Sequence, residues 1–282
     1  MNSNCRYMAE EQRSKISLSK RLLMSADMVK FGKVVADIGC DHAHTCIWLI
    51  KNGIAERAIA MDVRSGPLEK AKGNISLYGL SDRIELRLSD GLKALCVGEA
   101  DSIIIAGMGG MLTEQILRNG IDKAVAAKEL ILQPQSDIGL VRRFLRVHDF
   151  RITEERMCVE AGKFYNSMRA VPDRNIEDSS SDLNTDTDLN ADSIRSGERN
   201  LVGSVNAFSL QHQTEVYDEY GEYLLKNRNP VLKELLLVLQ RKNERNLKRI
   251  EASTNEQGLA KRTELEREKK HITEALRYYA IV

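Results

Sequence analysis

The stretch Val34-Val35-Ala36-Asp37-Ile38-Gly39-Cys40-Asp41-His42 decides the fold of this chain. Its apolar, β-branched start ends at an acidic residue and a glycine, which indicates a strand buried on both faces and then a tight turn. A second stretch, Ile103-Ile104-Ile105-Ala106-Gly107-Met108-Gly109-Gly110, has the same form. In an open α/β sheet such turns lie at the carboxyl edge of parallel strands, where ligands bind.

Strand and helix patterns alternate around these two stretches, and this alternation predicts a doubly wound α/β sheet. Two extended runs at the end of the pattern, joined by Glu160-Ala161-Gly162-Lys163, predict a β-hairpin and hence one antiparallel strand. Besides the first strand, strands are predicted at 58–61, 83–88, 102–106, 130–132, 151–157 and 164–171, and helices at 17–30, 41–51, 65–77 and 138–147.

The C-terminal third has a different pattern. Leucine and isoleucine recur at intervals near 3.5 residues from Leu232 to Tyr279, with Ser253 to Gly258 as a turn, which predicts an antiparallel, coiled-coil-like helical hairpin. We therefore divide the chain into a disordered N-terminus, a ligand-binding α/β domain, an acidic low-complexity linker or insertion and a helical domain. Their bounds are 1–15, 16–172, 173–200 and 201–282.

Composition limits the function classes. The formal net charge of +1 hides an acidic 173–198 segment with eight acidic residues against two arginines, and a basic 226–277 segment with fourteen lysines and arginines against eight glutamates. No apolar run is long enough for a membrane span. Five cysteines without CxxC spacing indicate free thiols in a cytoplasmic protein, and no histidine and cysteine cluster predicts a metal site.

The first glycine turn is not a dinucleotide fingerprint. Gly39-Cys40-Asp41-His42-Ala43-His44 lacks the second and third glycines that allow the backbone to approach a pyrophosphate. A nucleoside without pyrophosphate fits better, and S-adenosylmethionine is the usual ligand of this kind. Cys40 and Cys46 are interpreted as packing residues, since no base for a thiol nucleophile is evident.

Three acidic residues directly follow three successive predicted strands. Asp62 lies 23 residues after Gly39, close to the spacing of the carboxylate that accepts the ribose hydroxyls. Asp90 would accept from the adenine amino group, and Asp37 would orient the turn and the ligand ammonium. Any one such acid is more often a helix cap or a solvated loop residue. The cofactor-binding candidates are Asp37, Gly39, Asp41, His42, Asp62, Asp90, Gly91, Gly107, Met108 and Gly109.

The second turn offers only backbone groups to a molecule that would accept the methyl group of S-adenosylmethionine. A ring nitrogen with a free lone pair is therefore the favoured nucleophile. Such an acceptor needs alignment rather than proton removal. Asp37 or Asp41 would relay a proton if one had to move, and Tyr165 or Phe164 would stack an extruded base, or both aromatics would be ordinary hairpin core. The catalytic candidates are Asp37, Asp41 and Tyr165.

Lysine and arginine side chains are distributed over several parts of the chain, which favours a polyanionic binding partner. RNA is the leading macromolecular partner. Each basic group alone is more often a solvated face, and the helical hairpin alternatively only mediates dimerisation. The chain is expected to be a monomer or a weak dimer. The RNA-binding candidates are Lys20, Arg21, Arg142, Arg143, Lys242, Arg245 and Arg249.

Four stretches make a family resemblance specific: 18–22 (Leu-Ser-Lys-Arg-Leu), 36–43, 105–110 and 130–134 (Leu-Ile-Leu-Gln-Pro). In this order they resemble the TrmK family, the bacterial tRNA adenine-22 N1-methyltransferases. The resemblance runs from about Leu18 to Val171 and resumes at 220–232. It implies a Rossmann-like class I methyltransferase domain with a seven-stranded mixed sheet, a C-terminal coiled-coil domain, S-adenosylmethionine as donor and tRNA as substrate.

Two departures from the family pattern lie next to the ligand site. The usual serine of the first turn is Cys40, and the usual aromatic residue after Asp-His-Ala is His44. The rival functions are a methyltransferase acting on another RNA or a small molecule, and a catalytically silent RNA-binding module that keeps the fold.

Overall fold

The computed structural model describes residues 16–173, 213–250 and 255–280. Residues 1–15, for which disorder is expected, and the acidic 174–200 stretch therefore lie outside the described residues, as do residues 253 and 254 of the predicted turn between the C-terminal helices. Residues 256–258, which are predicted in that turn, belong to the last helix.

Seven strands form one mixed sheet in the order β3-β2-β1-β4-β5-β7-β6. Strands β1 to β5 are parallel, and β7 runs antiparallel to both β5 and β6, which confirms the predicted fold class. The strands are β1 Val34–Ile38, β2 Arg57–Asp62, β3 Ile84–Leu88, β4 Ser102–Ala106, β5 Glu129–Gln133, β6 Phe150–Glu160 and β7 Lys163–Pro172.

Helices cover both faces of the sheet and continue beyond it. The first six belong to the α/β part and the rest to the C-terminal part. They are α1 Lys20–Ala26, α2 His44–Lys51, α3 Ser65–Leu77, α4 Gly110–Asn119, α5 Ile121–Ala126, α6 Ile138–Val147, α7 213–220, α8 Glu222–Lys226, α9 Pro230–Ile250 and α10 Glu256–Arg277.

The β-branched runs are explained by burial on both faces of the sheet. In β4, Ile103 and Ile105 belong to the core under α4 and α6, while Ile104 belongs to the core under α2 and α3. All three side chains are fully buried. Successive strand residues point to opposite faces, so a strand covered on both sides has no polar alternation.

Several predicted boundaries differ from the structure, and those of two helices differ by three residues or more. The first helix is Lys20–Ala26, shorter than the predicted 17–30. Helix α2 starts at His44 rather than Asp41, because Asp41 and Ala43 have positive φ values of 49° and 58° and belong to a left-handed turn. Asp41 is thus not the helix cap. Helices α4 and α5 fill a region for which the sequence analysis predicts no element.

The C-terminal helices form the predicted antiparallel pair. Asn243 of α9 donates to the Leu265 carbonyl oxygen (3.0 Å), and the Tyr279 hydroxyl donates to the Asn229 carbonyl oxygen (2.9 Å) at the other end. Leu232, Leu236 and Ile272 are buried between the helices with residues of α7 and α8. Met157 of β6 packs on this core, so the helical part is seated directly on the last hairpin of the sheet.

Candidate active site

The two glycine turns meet at the carboxyl edge of the sheet. Strand β1 lies between β2 and β4, where the strand order reverses, and such a switch point opens a crevice for ligands. Gly39 and Gly107 have φ values of +73° and +84°, which favour glycine. A Cβ on Gly39 would lie 2.3 Å from Cε of Met108, so the turns are in direct contact.

Asp37 is one of two buried acids at this edge. Its side chain is enclosed, and the Cys46 thiol donates to Oδ2 at 3.7 Å. Burial raises the pKa of Asp37 to about 7, with the nearby Asp62 and Asp41 carboxylates adding to the rise. A cationic ligand group would stabilise the ionised form, which is the behaviour expected of an ammonium-binding carboxylate.

Asp62 ends β2 and is 6% exposed. Its Oδ1 accepts from the Arg64 backbone N–H at 2.9 Å, which fixes the carboxylate at the strand end. The Asp62 carbonyl oxygen accepts from Ser89 N–H (2.9 Å), so the loop after β3 is tied to the same place. Asp62 therefore lies between the first turn and the Ser89-Asp90-Gly91 loop.

Asp90 and Gly91 have less enclosed positions. The Asp90 side chain is 67% exposed and accepts a 2.6 Å hydrogen bond from Lys93. Gly91 has a φ of +61°, and a Cβ there would lie 3.1 Å from the Ile116 side chain. Gly91 thus has an architectural reason to be glycine, and Asp90 is left open to solvent beside Lys93.

The first turn continues through Asp41 and His42. The Asp41 side chain is exposed and lies 3.5 Å from Nε2 of His42, whose Nδ1 is buried without a partner among the described residues. Asn74 donates to the His42 carbonyl oxygen (3.0 Å) and lies 3.3 Å from the His44 ring. A buried ring nitrogen with no partner in the described part of the chain leaves a hydrogen-bonding position for a ligand.

The second turn is packed more tightly at Gly110 than at Gly109. Gly109 has an extended backbone (φ −67°), and a Cβ there would lie 3.2 Å from the Ser136 hydroxyl. A Cβ on Gly110 would lie 2.4 Å from the Ser136 carbonyl oxygen. Neither Gly110 nor Ser136 is among the site residues predicted from the sequence, although the Gly109-Gly110 pair is a signal for close backbone approach.

Tyr165 lies on β7 beside α1, and it is half-buried. The guanidinium carbon of Arg21 is 5.7 Å from the centre of its ring. Nη1 of Arg21 also lies near Gly107, since a Cβ on that glycine would be 3.5 Å from it. The structure therefore brings Arg21 and Tyr165 to the second turn, while Asp37, Asp41 and Asp62 surround the first.

The features of the first turn fit S-adenosylmethionine. Asp37 suits the ammonium group, Asp62 suits the ribose hydroxyls, and Gly39 has no side chain to hinder approach of the ligand. Burial raises the pKa of the Cys40 and Cys46 thiols, so neither is an activated nucleophile. Within the described residues no group of three metal-binding side chains occurs.

Arg142 is wrongly predicted as an RNA contact. It is 5% exposed and its Nε donates to Oε1 of Glu155 at 2.8 Å. Its Nη1 donates to the carbonyl oxygens of Asp218 and Glu219 in α7. The side chain is enclosed between the sheet and the helical part and cannot reach a phosphate.

The other RNA candidates are accessible. Lys20, Arg143, Lys242, Arg245 and Arg249 are exposed, and Arg21 is half-buried. Arg143 and Lys242 line one groove of about 1,020 Å³ between α6, α7 and the helical hairpin. Arg245 and Arg249 lie further along α9, outside the groove lining.

No helix among the described residues is both long and apolar enough to cross a membrane.

Comparison with known proteins agrees with the site. The family model for a methyltransferase domain matches residues 18–168. The tRNA (adenine(22)-N(1))-methyltransferase of Bacillus subtilis is 39% identical over 157 residues, which are 56% of this chain and 66% of that protein. The chain thus matches about two thirds of the length of this curated relative.

Solved structures extend the similarity into the helical part. The B. subtilis M1A22 tRNA methyltransferase TrmK aligns over 93% of this chain and 100% of its own, with a TM-score of 0.72 and 30% identity. Streptococcus pneumoniae Sp1610 in complex with S-adenosyl-L-methionine aligns over 92% and 100%, with a TM-score of 0.70 and 29% identity. The chain therefore belongs to the TrmK family of tRNA (adenine-22-N1)-methyltransferases, with which its paired glycine turns, strand-end carboxylates and helical hairpin agree.

Proposed function

We propose that this protein methylates N1 of adenine 22 in tRNA with S-adenosylmethionine as donor. The observation that carries the proposal is the meeting of two glycine turns with buried Asp37 and Asp62 at the switch point of the sheet, in a chain of the TrmK family. The donor supplies an electrophilic methyl group, and the N1 lone pair of adenine is the nucleophile.

The residues of the first turn hold the donor in this proposal. Asp62 accepts hydrogen bonds from the ribose hydroxyls, since its carboxylate is fixed at the end of β2. Asp37 accepts the ammonium group, and the buried Nδ1 of His42 offers one further hydrogen bond. Gly39, Gly91, Gly107, Met108 and Gly109 shape the walls, and Asp41 and Asp90 are the solvent-facing acids of the rim.

Alignment is the main catalytic contribution of the protein. Adenine N1 carries a free lone pair, so no general base has to remove a proton before attack. Asp37, at the end of β1, and Asp41, in the first turn, are the groups that relay a proton if the adenine amino group releases one. The exposed Asp41 is the better placed of the two to return that proton to solvent. Tyr165 stacks the extruded base at the second turn.

The cationic surface binds the tRNA backbone. Arg21 lies beside the second turn, and Lys20 lies at the end of β6, where its ammonium donates to the Val159 carbonyl oxygen. Arg143 and Lys242 lie in the groove, and Arg245 and Arg249 lie along α9. Residues 16–172 thus act as the catalytic domain and the described helices after residue 212 as the RNA-binding domain. A cytoplasmic location follows from the tRNA substrate and from free thiols at Cys40, Cys46, Cys96 and Cys158. We expect a monomer or a weak dimer.

The test uses two tRNA transcripts that differ only at position 22. The protein is incubated with donor labelled in the methyl group, and incorporation into the transcript with adenine 22 is compared with a transcript carrying guanine there. Label in the first alone supports the proposal. Equal labelling of both transcripts would favour another RNA position, and donor binding without labelling would favour a silent RNA-binding module.

A further inference from the structure

The Gln133 side chain, at the end of β5, is bonded at both ends of its amide. It is 1% exposed, and its Oε1 accepts from Nη1 of Arg21 at 3.0 Å. Its Nε2 donates to the Arg21 carbonyl oxygen and to the Ser25 hydroxyl, both at 2.7 Å. A buried amide with its polar atoms engaged is held rigidly.

Other contacts tie this amide to the sheet and to the second turn. The Ser25 hydroxyl lies 2.6 Å from the Ser167 hydroxyl of β7. The Gln133 carbonyl oxygen accepts from the Gly107 backbone N–H at 3.1 Å. One residue therefore reaches the second turn through its backbone and Arg21 through its side chain.

Arg21 has hydrogen-bonding capacity left over. Its guanidinium lies over the Tyr165 ring and 3.9 Å from the Glu160 carboxylate, and Gln133 is the one acceptor within hydrogen-bond distance among the described residues. Nη2 thus has no acceptor in the described part of the chain. A planar guanidinium with free N–H groups is suited to bidentate binding of an anionic oxygen pair.

We propose that Gln133 is a positioning residue that holds Arg21 as a clamp for the phosphate beside the target nucleotide. This inference rests on the proposed function. The base itself is a poorer partner for Arg21, because methylation of N1 places a positive charge on the ring, and a guanidinium on the same ring would oppose it. A phosphate instead pairs with the positive charge of the Arg21 guanidinium, while Tyr165 stacks on the base.

The test combines Gln133→Glu with Arg21→Lys. Gln133→Glu keeps the shape and pairs one carboxylate oxygen with the Arg21 guanidinium, but it loses the donor that bonds the Arg21 carbonyl oxygen. Arg21→Lys keeps the charge but loses the fork. We expect each variant to lower kcat/KM for tRNA by about ten- to a hundredfold, with donor affinity by calorimetry within about twofold of the unchanged protein. Lys30→Met, an exposed cation beyond the end of α1, is the matched control.

Two readouts separate positioning from a purely structural role. If Gln133 acts through Arg21, the double variant loses no more than the worse single variant. Arg21→Met should also lower the slope of log affinity against log salt by about 0.7 to 0.9, the contribution of one phosphate. Losses that multiply in the double variant, an unchanged slope, or unchanged kcat/KM in Gln133→Glu would overturn the proposal.

The controls keep the outcomes distinct. If circular dichroism shows that Gln133→Glu does not fold, Ser25→Ala replaces it. We expect Ser25→Ala to lower kcat/KM for tRNA by a smaller factor and to cause no further loss when Arg21→Lys is already present. Losses that multiply in this double variant would count against the clamp. If the unsubstituted protein does not methylate tRNA, the proposed function fails. If it does and the variants behave as the control, the phosphate clamp alone is wrong.

Discussion

At the scale of single residues, the site depends on which acids are enclosed. Asp37 and Asp62 are buried at the ends of neighbouring strands, whereas the Asp90 side chain is 67% exposed beside Lys93. The periodicity of the sequence predicts that all three follow strands, but it carries no measure of enclosure. Enclosure decides the strength of a charge-assisted hydrogen bond, because water competes less for a buried carboxylate.

Asp62→Ala should weaken S-adenosylmethionine binding by about 2 to 3 kcal/mol, or thirty- to a hundredfold. The physical reason is the loss of paired hydrogen bonds from the ribose hydroxyls to an ionised carboxylate. Calorimetry measures the affinity, with Asp122→Ala on the exposed surface of α5 as control. Affinity equal to that of the control would remove Asp62 from the donor site, and Asp90→Ala should have the smaller effect of the two strand-end acids.

Asp37 should make donor binding depend on pH. Its folded-state pKa is about 7, above the ordinary 3.8, so the free protein carries a proton there below neutral pH. Binding an ammonium group requires the ionised form, so affinity should rise from pH 6 to pH 8, by up to about tenfold. Asp37→Asn should bind more weakly and lose this rise; an equally steep pH profile in that variant would assign the titration to another group.

At the scale of elements, the sequence predicts the parallel strands but not two of the helices or the buried face of α6. The strands of the parallel sheet were found because two-sided burial leaves long apolar runs, as in Ile103 to Ile105. Helices α4 and α5 are not predicted, because the two helices meet at Gly120 and α5 has only 6 residues. Arg142 was misplaced although it lies on the buried stripe of α6, at the spacing of Ile138, Val141 and Leu145.

The second turn should tolerate a methyl group at Gly109 better than at Gly110. Gly110→Ala places a Cβ 2.4 Å from the Ser136 carbonyl oxygen, which moves only if the backbone shifts, whereas Gly109→Ala meets the Ser136 hydroxyl at 3.2 Å. We expect Gly110→Ala to lower the free energy of unfolding by about 1 to 3 kcal/mol, and Gly109→Ala by less. Urea unfolding measures both. Equal losses would mean that the turn relaxes freely.

The buried Arg142–Glu155 pair should fasten the helical part to the sheet. Arg142→Met leaves Glu155 as an enclosed charge and removes two bonds to α7 carbonyl oxygens, so we expect a loss of about 3 to 5 kcal/mol in the free energy of unfolding. Arg142→Met with Glu155→Leu should lose less than Arg142→Met alone. Arg143→Ala, the exposed neighbour, is the control, and an equal effect there would contradict the assignment.

At the scale of the whole molecule, the sequence predicted an α/β part and a basic helical hairpin but not how they join. The join uses Arg142 and Arg146 of α6, which bond to Asp218 of α7, 76 and 72 residues further along the chain. No local pattern encodes such a pairing. Its result is a groove in which Arg143 of the α/β part faces Lys242 of the hairpin.

Charge reversal at Lys242, Arg245 and Arg249 should lower tRNA affinity and its salt dependence together. Each phosphate contact that is lost should reduce the slope of log affinity against log salt by about 0.7 to 0.9. Filter binding at several salt concentrations measures both quantities. Reversal of Lys33, Lys51 and Arg57, exposed at the opposite edge of the sheet, is the control; equal effects of the two sets would indicate a general charge effect without a defined RNA surface.

Nucleoside mass spectrometry of tRNA treated with the protein and S-adenosylmethionine tests the central claim most directly. The tRNA is digested at neutral pH, so that the position of the methyl group on the base is preserved, and the adenosine derivatives are separated. We predict that 1-methyladenosine appears, that it maps to adenine 22, and that Asp62→Ala lowers its initial rate of formation by about thirty- to a hundredfold when the donor is well below saturation. Methyl on another base atom, or donor binding with no methylated nucleoside, would contradict the claim.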